Sequence, residues 1–556
     1  MTTHEDWQDR RGLADQQGLL RHGGFKRLEQ WQRNLRGAIR DDCFVPPSRL
    51  ARDRPSFSSR RTPESPQRLA SRLGEVVRAM SSKPQSLSDL DSLFFLSETP
   101  SQPLHVLATL VMDRSGMSAK SAYELFQERI IERYRLIEPL RRSPTRSMLG
   151  QRLWVDDPEI HIQRHLHHVL VDGRGLEALA EVAGDIASHP LPKDRPLWEA
   201  WLVEGFDERQ FAVVAKIHHS AVDGVSGIFA LSGFFDLEPS PAPTVSTPPA
   251  PQPPATPETW STAINSLVHR PQAVTRGIQR VTTSLLQFVS SRSETAPLPC
   301  SGPRMSYNRA LTPPRAVAFS TLPLDDVKQI AEATGGSVND VVVALCAGVL
   351  RRHALQSKDV PDRPIVAAIP VSERKPEHGP TGNHLSFMFY SLPVHLPSPR
   401  ARLEFVQRSA ADAKAVYGRA GDGLLDAVAA LSPKFAIKPA MKAMSSVRAA
   451  NVLPPPANVL ISSIRGPDVP LYVGGARLSS IFPMGPVLEG IGLGITAVSF
   501  AGELSFGFIA CADLIEDIEE LSLGLSLEMA ALQDSIEHRT GESQGEGEGE
   551  SESESE

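Results

Sequence analysis

Cysteine is scarce in this chain. Four occur in 556 residues, Cys43, Cys300, Cys346 and Cys511, far apart and in no C-x-x-C pair. That spacing argues against a disulfide framework or a cysteine-based zinc site and fits a reducing compartment. Cys346 and Cys511 lie in apolar runs and read as small core residues. A basic excess is also missing. Lys and Arg number 58 against 65 Asp and Glu, a formal net charge of -7, which argues against a general nucleic-acid binder. Long apolar runs are missing too. No stretch reaches the roughly 18 to 20 apolar residues of a membrane span. Val341–Leu350 is too short, and the Gly-rich run near Gly485–Phe500 contains Glu489. The opening MTTHEDWQDRRGLADQQGLL has no apolar core of the kind a secretory signal carries. The chain is therefore expected to be cytoplasmic, with no signal peptide or membrane span and with peripheral membrane association.

What is present is an ordinary globular composition, 41% hydrophobic and 22% charged. The length implies two to four domains. Residues 1–84 mix charge, Ser and Pro with little apolar periodicity and read as a partly disordered extension with room for a short helix over Gly24–Ile39. Proline-rich EPSPAPTVSTPPAPQPPAT, residues 238–256, excludes helix and central strand and reads as a linker. Beyond it, Val274, Ile278, Val281, Leu285 and Phe288 recur at steps of four and three on one helical face, with Arg270, Arg276 and Arg280 among them. That helix, inside Trp260–Arg292, either packs on the core or lies on a membrane surface. Linker and helix together span 238–304. They separate two halves, 85–237 and 305–537. The acidic low-complexity end, 538–556, reads as a disordered tail.

Both halves alternate helix and strand signals. Helices are predicted over Ser121–Arg133, Leu324–Thr334 and Asp340–His353. Strands are predicted over Phe211–Ile217, Ile365–Ile369, Val459–Ser463 and Leu504–Ala510. The fold class is α/β or α+β.

The residues that carry chemistry are Phe211–Gly224, FAVVAKIHHSAVDG. In an extended strand Phe211, Val213, Ala215, Ile217 and His219 share one face, which places His219 toward the interior. A neutral imidazole there can take a proton from an alcohol near pH 7. Asp223 can fix the following loop through backbone N–H groups or an arginine, and Gly224 permits a tight turn. The pattern HHxxxDG occurs twice, however. His167-His168-Val-Leu-Val-Asp172-Gly173 also fits, but it follows the polar stretch His161-Ile-Gln-Arg-His165 rather than an apolar strand. The upstream histidines read as a solvated segment. A zinc site from His161 and His165 is the competing reading, since residues four apart share a helix face. Ser220 has no Gly-x-Ser-x-Gly elbow and is a poor nucleophile.

From these residues outward the chain resembles the bacterial wax ester synthase/diacylglycerol acyltransferase family over roughly residues 86–535. The resemblance rests on Ser88–Leu96 followed by Pro103-Leu-His105-Val106, on Pro196-Leu197-Trp198-Glu199, and on His218–Gly224. It continues through Val338-Asn339-Asp340-Val341, Pro370–Arg374 with Gly382-Asn383, and Ser462–Pro467. Ser463 stands where the family usually has Asn; Ser offers fewer hydrogen-bonding groups than Asn, which bears on local loop geometry.

The resemblance implies two chloramphenicol-acetyltransferase-like halves, each a mixed sheet flanked by helices, with a tunnel between them. It implies transfer of a fatty acyl group from acyl-CoA to diacylglycerol or a long-chain alcohol. Acyl-CoA is then a co-substrate, and no cofactor or metal is expected. His219 is the expected catalytic base. Asp223 belongs to the catalytic motif and is expected to shape the site rather than touch substrate. His218, Gly224, Asn339 and Trp198 are expected to shape the site, Trp198 by packing beside it. Asn339 reads equally as a polar group near the reacting centre or as a helix N-cap. Greasy substrates imply peripheral contact with a membrane or lipid droplet, with Trp260–Arg292 as the candidate segment. Two other readings stay open: another acceptor on the same fold, and an inactive lipid-droplet-binding member.

Overall fold

The computed structural model describes residues 85–117, 121–147, 152–157, 160–222, 227, 233–240, 295–373, 383–420 and 424–549. The extension 1–84, the helix expected in Trp260–Arg292, and Asp223 with Gly224 lie outside the described residues. The first half supplies β1 (Gln85–Ser86), α1 (Asp89–Ser97), β2 (His105–Asp113), α2 (Ala122–Arg133), α3 (Glu138–Arg141), β3 (Arg142–Arg146), β4 (Arg152–Asp156), β5 (Leu166–Leu170), α4 (Gly175–Ser188), β6 (Trp198–Glu204) and β7 (Gln210–His218). The second half supplies β8 (Arg315–Pro323), α5 (Leu324–Ala333), α6 (Val338–Gln356), β9 (Ile365–Ser372), β10 (Leu385–Leu392), α7 (Pro399–Ala420), α8 (Leu424–Leu431), α9 (Lys434–Ser446), β11 (Val459–Arg465), β12 (Tyr472–Val473), β13 (Ala476–Met484), β14 (Leu493–Phe500), β15 (Glu503–Cys511) and α10 (Ile518–Gly549).

Within the described residues, the other helices and strands expected from the sequence are present, with ends moved by a few residues. Their caps explain the starts. Ser121 and Glu124 form a capping box at α2, and Ser337 and Asp340 form another at α6, each satisfying N–H groups that the first turn leaves open. α6 is buried along nearly its whole length, as a helix apolar on every face must be. Cys346 within it and Cys511 at the end of β15 are buried.

The strands form two six-stranded mixed sheets, ordered β12-β13-β2-β7-β6-β5 and β10-β9-β11-β14-β15-β8, plus a small sheet β1-β4-β3. The first large sheet is not made by the first half alone. β13 crosses over and pairs antiparallel with β2, Met484 opposite Leu107 and Arg477 opposite Asp113. The chain then returns to the second sheet, where β14 lies between β11 and β15.

Two readings need correction here. The helix α10 does not stop at 537 but runs to Gly549, so 538–549 are helical rather than a structureless tail. Extending a helix already nucleated on the core adds one hydrogen bond per residue without a new nucleation cost. Ser463, read as a loop position, lies within β11, exposed and opposite Ala497.

Candidate active site

β7 runs between β2 and β6, and those neighbours fix where its two histidines end up. His218 lies opposite His105, and its N–H donates to the Leu197 carbonyl at 2.9 Å. The Pro196-Leu197-Trp198 stretch thus anchors the end of β7. Trp198 is buried, donates from Nε1 to the Leu140 carbonyl at 2.8 Å, and stacks on His165 with ring centroids 4.4 Å apart. It packs beside the motif, as expected. The His219 N–H donates to the Leu104 carbonyl at 2.8 Å as the chain leaves the strand.

His219 is buried, and among the described residues Phe94 and Asn383 hold its ring. Phe94 stacks on it, centroids 4.3 Å apart and planes 22° from parallel. Asn383 Oδ1 lies 3.2 Å from Nδ1. Asn383 is itself held: its Nδ2 donates to Asp91 Oδ1 at 2.7 Å and to the His219 carbonyl at 2.6 Å. Both partners of the amide nitrogen are acceptors, so the amide oxygen is the atom facing the ring, and it can only accept. His219 Nδ1 therefore carries the proton, and Nε2 keeps its lone pair.

Asp91 is tied into α1 as well. Its Oδ2 accepts from the Ser88 N–H at 3.3 Å, and Ser88 Oγ accepts from the Asp91 N–H at 2.9 Å, a capping box that starts the helix. Burial raises the Asp91 pKa, and the hydrogen bonds from Asn383 and Ser88 oppose that rise.

His218 faces a different environment. The Ser220 N–H donates to its Nδ1 at 3.1 Å, so the neutral ring carries its proton on Nε2, which points at Glu98 Oε2 3.7 Å away. Glu98 is also ion-paired with Lys193. Burial alone would raise its pKa, yet His218 and Lys193 hold it down at about 2. Burial pushes His218 below the ordinary histidine range. Deeper in the sheet, buried Lys216 donates to the Ile186 and His189 carbonyls at 3.0 Å each. Burial brings its pKa down to about 8 despite Glu199 nearby.

Sequence reasoning assigned no role to Asp91, Phe94, Phe95, Glu98 or Asn383. Asp91, Phe94 and Phe95 stand at i, i+3 and i+4 on α1, one helical face, and Glu98 follows as its C-cap in extended conformation. That face lies along the histidine pair, with Phe95 5.7 Å from His218 between centroids. The spacing is readable in the sequence, but nothing in it says that the face meets β7. Asn383 comes from the second half, so the cluster sits where the halves meet. A small apolar cleft lined by Pro297, Phe387, Phe389, Val416 and Tyr417 opens on β10, the strand that follows Asn383.

The remaining candidates are placed elsewhere. Asn339 is not the cap of α6; Ser337 is. Asn339 is half-buried in the first turn and makes none of the hydrogen bonds described around His219. The second HHxxxDG copy lies on β5, an edge strand. His168 there pairs with Glu204 at 2.9 Å and stays partly exposed. The reading of a solvated histidine segment fails for His165, which is buried. Its ring is covered by Trp198, and burial lowers its pKa to about 4. His161 is exposed, so the two do not share a face.

Comparison with known proteins fits this architecture. Residues 87–342 match the wax ester synthase/diacylglycerol acyltransferase catalytic domain, and residues 381–533 match the C-terminal domain of the same family. A protein of Mycobacterium tuberculosis strain H37Rv, provisionally named a diacylglycerol O-acyltransferase, is 33% identical over 474 residues, covering 83% of this chain and 92% of its own. A second so named, from strain CDC 1551, is 30% identical over 462 residues, covering 81% and 100%. Among solved structures, the wax ester synthase/diacylglycerol acyltransferase of Marinobacter aquaeolei VT8 superposes with a TM-score of 0.58 at 24% identity, covering 81% of this chain and 100% of that one. The first condensation domain of the CDA synthetase superposes at 0.50 with 17% identity, covering 82% and 98%. The fold is thus the mixed-sheet fold shared by these acyltransferases and condensation domains. The chain is an acyltransferase and belongs to the wax ester synthase/diacylglycerol acyltransferase family.

Proposed function

We propose that the chain transfers a fatty acyl group from acyl-CoA to a lipid alcohol, diacylglycerol or a long-chain alcohol, with His219 as general base. The observation that carries this reading is the hydrogen bond from His219 Nδ1 to Asn383, which leaves Nε2 free of a proton. Nε2 takes the proton of the acceptor hydroxyl as that oxygen attacks the thioester carbonyl. The tetrahedral oxyanion collapses and expels the CoA thiolate, and the imidazolium returns its proton to the sulfur. The acyl group passes directly between substrates. Such acid–base assistance supplies about 10² to 10⁴-fold in rate. Orientation of two substrates in a tunnel at the junction of the halves supplies more. Asp223, four residues after His219 in the motif, is assigned a site-shaping role. The named diacylglycerol acyltransferases among the relatives favour diacylglycerol as acceptor.

The test is CoA release from palmitoyl-CoA with dioleoylglycerol or hexadecanol. His219→Ala is expected to lower the acceptor-dependent rate by at least about 10²-fold, while His168→Ala leaves it intact. Loss in His168→Ala instead, with the fold retained, overturns the assignment. No release from the wild-type chain with either acceptor brings forward another acceptor or an inactive lipid-binding member.

A further inference from the structure

Between Asp426 and Asp468 the chain has no acidic side chain, yet it carries Lys434, Lys438, Lys442, Arg448 and Arg465, in a protein of net charge -7. The first four of these belong to α9 and the turn that follows it. α9 has no fully buried residue. At 3.6 residues per turn, Lys434, Phe435, Lys438 and Lys442 fall within one arc of about 100°. Ile437, Met441 and Met444 occupy the neighbouring arc and are half-buried. Phe435 is 86% exposed, and past the helix Val447 is 74% and Val452 85% exposed. Arg448 turns the chain there with a left-handed φ of 51°. Single exposed apolar residues are unremarkable, but a run of them on one short helix and turn marks an interaction surface. A basic polar face bearing a large aromatic side chain is the composition of an interfacial helix.

We propose that Lys434–Leu453 docks on an anionic lipid surface. Phe435, Val447 and Val452 enter the boundary between headgroups and acyl chains. Lys438 and Lys442 meet lipid phosphates, their stems lying along the apolar layer. With Lys434 paired to Asp89, the positive charge of Lys438, Lys442 and Arg448, in a segment that carries no acidic residue of its own, fits an anionic bilayer better than a protein partner, whose surface carries both signs. The docking site is coupled to the active site by contact. α9 packs on α1, with Lys434 Nζ 2.7 Å from Asp89 and Ser445 Oγ 3.0 Å from Ser101 Oγ. α1 in turn carries Phe94 onto His219. The reason for docking, delivery of a membrane-borne alcohol, rests on the acceptor class proposed above; the docking itself does not.

The experiment is co-sedimentation of the full chain with phosphatidylcholine vesicles, with and without phosphatidylglycerol. The wild-type chain is expected to bind the phosphatidylglycerol vesicles preferentially. Lys438→Gln with Lys442→Gln should weaken that binding about 30-fold, since each lysine near an anionic surface contributes about a fivefold factor. Phe435→Ser with Val452→Ser should weaken binding to both vesicle types. None of these residues touches the cluster around His219, so thermal midpoint and CoA release with detergent-dispersed substrates should stay at wild-type levels. Equal binding by the variants and the wild-type chain overturns the proposal, as does binding indifferent to phosphatidylglycerol or no binding at all. Intact vesicle binding in a chain that releases no CoA would instead leave the docking surface standing and sink the proposed function.

Discussion

Asn383 sits between three acceptor or ring groups, and its two ends are not interchangeable. Asn383→Leu leaves His219 Nδ1, Asp91 Oδ1 and the His219 carbonyl without that partner, and the imidazole can then hold its proton on either nitrogen. The expected result is a fall in kcat of about 10²-fold with little change in KM for acyl-CoA, as for loss of general-base efficiency. Asn383→Asp places a second carboxyl group beside Asp91. One proton is then shared between them, and the negative charge next to Nδ1 raises the basicity of the imidazole. This variant should keep more activity than the leucine one, with the acidic limb of its kcat/KM profile moved to higher pH. A purely structural role for Asn383 would lower stability in both variants and leave that limb in place. His219 was legible at this scale because two histidines ended an apolar run. Asn383 stood in a motif segment, Gly382-Asn383, but its role was not legible, because its partner lies 164 residues away in the chain. Asn339 drew notice through its place in a motif, and the cap it was expected to make falls to Ser337, two residues earlier.

At the level of elements, α1 is a nine-residue helix that presents three side chains toward the histidine pair, with a fourth, Glu98, from its C-cap. Short helices depend on their caps. Ser88→Ala removes half of the capping box and should cost about 1 kcal/mol of stability, read as a lower denaturant midpoint. It should also lower kcat/KM, because Asp91 and Phe94 are positioned by the first turns of that helix. Three helices and four strands were readable in the sequence within the described residues, and the two HHxxxDG copies show why context was needed. β5 alternates buried and exposed residues at a sheet edge, with Leu170 74% exposed. β7 lies inside its sheet and is buried on both faces. What periodicity could not say is which helix face meets which strand, since that depends on contacts between segments remote in sequence.

For the molecule as a whole, buried ionisable groups set how stability varies with pH. His165 has its pKa lowered from 6.5 to about 4. As pH falls through that window the unfolded chain takes up the proton first, so stability falls. Glu98 is lowered from 4.5 to about 2. Again the unfolded carboxylate is protonated first, so its contribution is full above pH 4.5 and is lost as pH falls toward 2. Lys216, lowered from 10.5 to about 8, releases its proton earlier when folded and adds stability as pH rises through that interval. Denaturant midpoints measured across pH should therefore decline below about 6.5 and again below about 4.5. His165→Gln should make the first decline shallower without abolishing it, because burial also lowers the pKa of His105, His167 and His218; an unchanged slope would show that His165 contributes nothing to it. The proline-rich break suggested two halves, but it gave no sign of the exchange of β12 and β13 into the first sheet, because those strands carry no mark of which sheet they join.

That exchange has a consequence for how the protein is made. Until Met484 has left the ribosome, β2 has no partner on the side that β13 will fill. At about 5 to 20 residues per second, the wait from Leu107 to Met484 lasts roughly 20 to 75 s. Throughout it a nine-residue, largely buried strand offers unpaired backbone groups to any other extended chain. The nascent first half is thus a natural client for a chaperone, and conditions that slow synthesis should raise the aggregated fraction more than they would for a protein whose halves close independently.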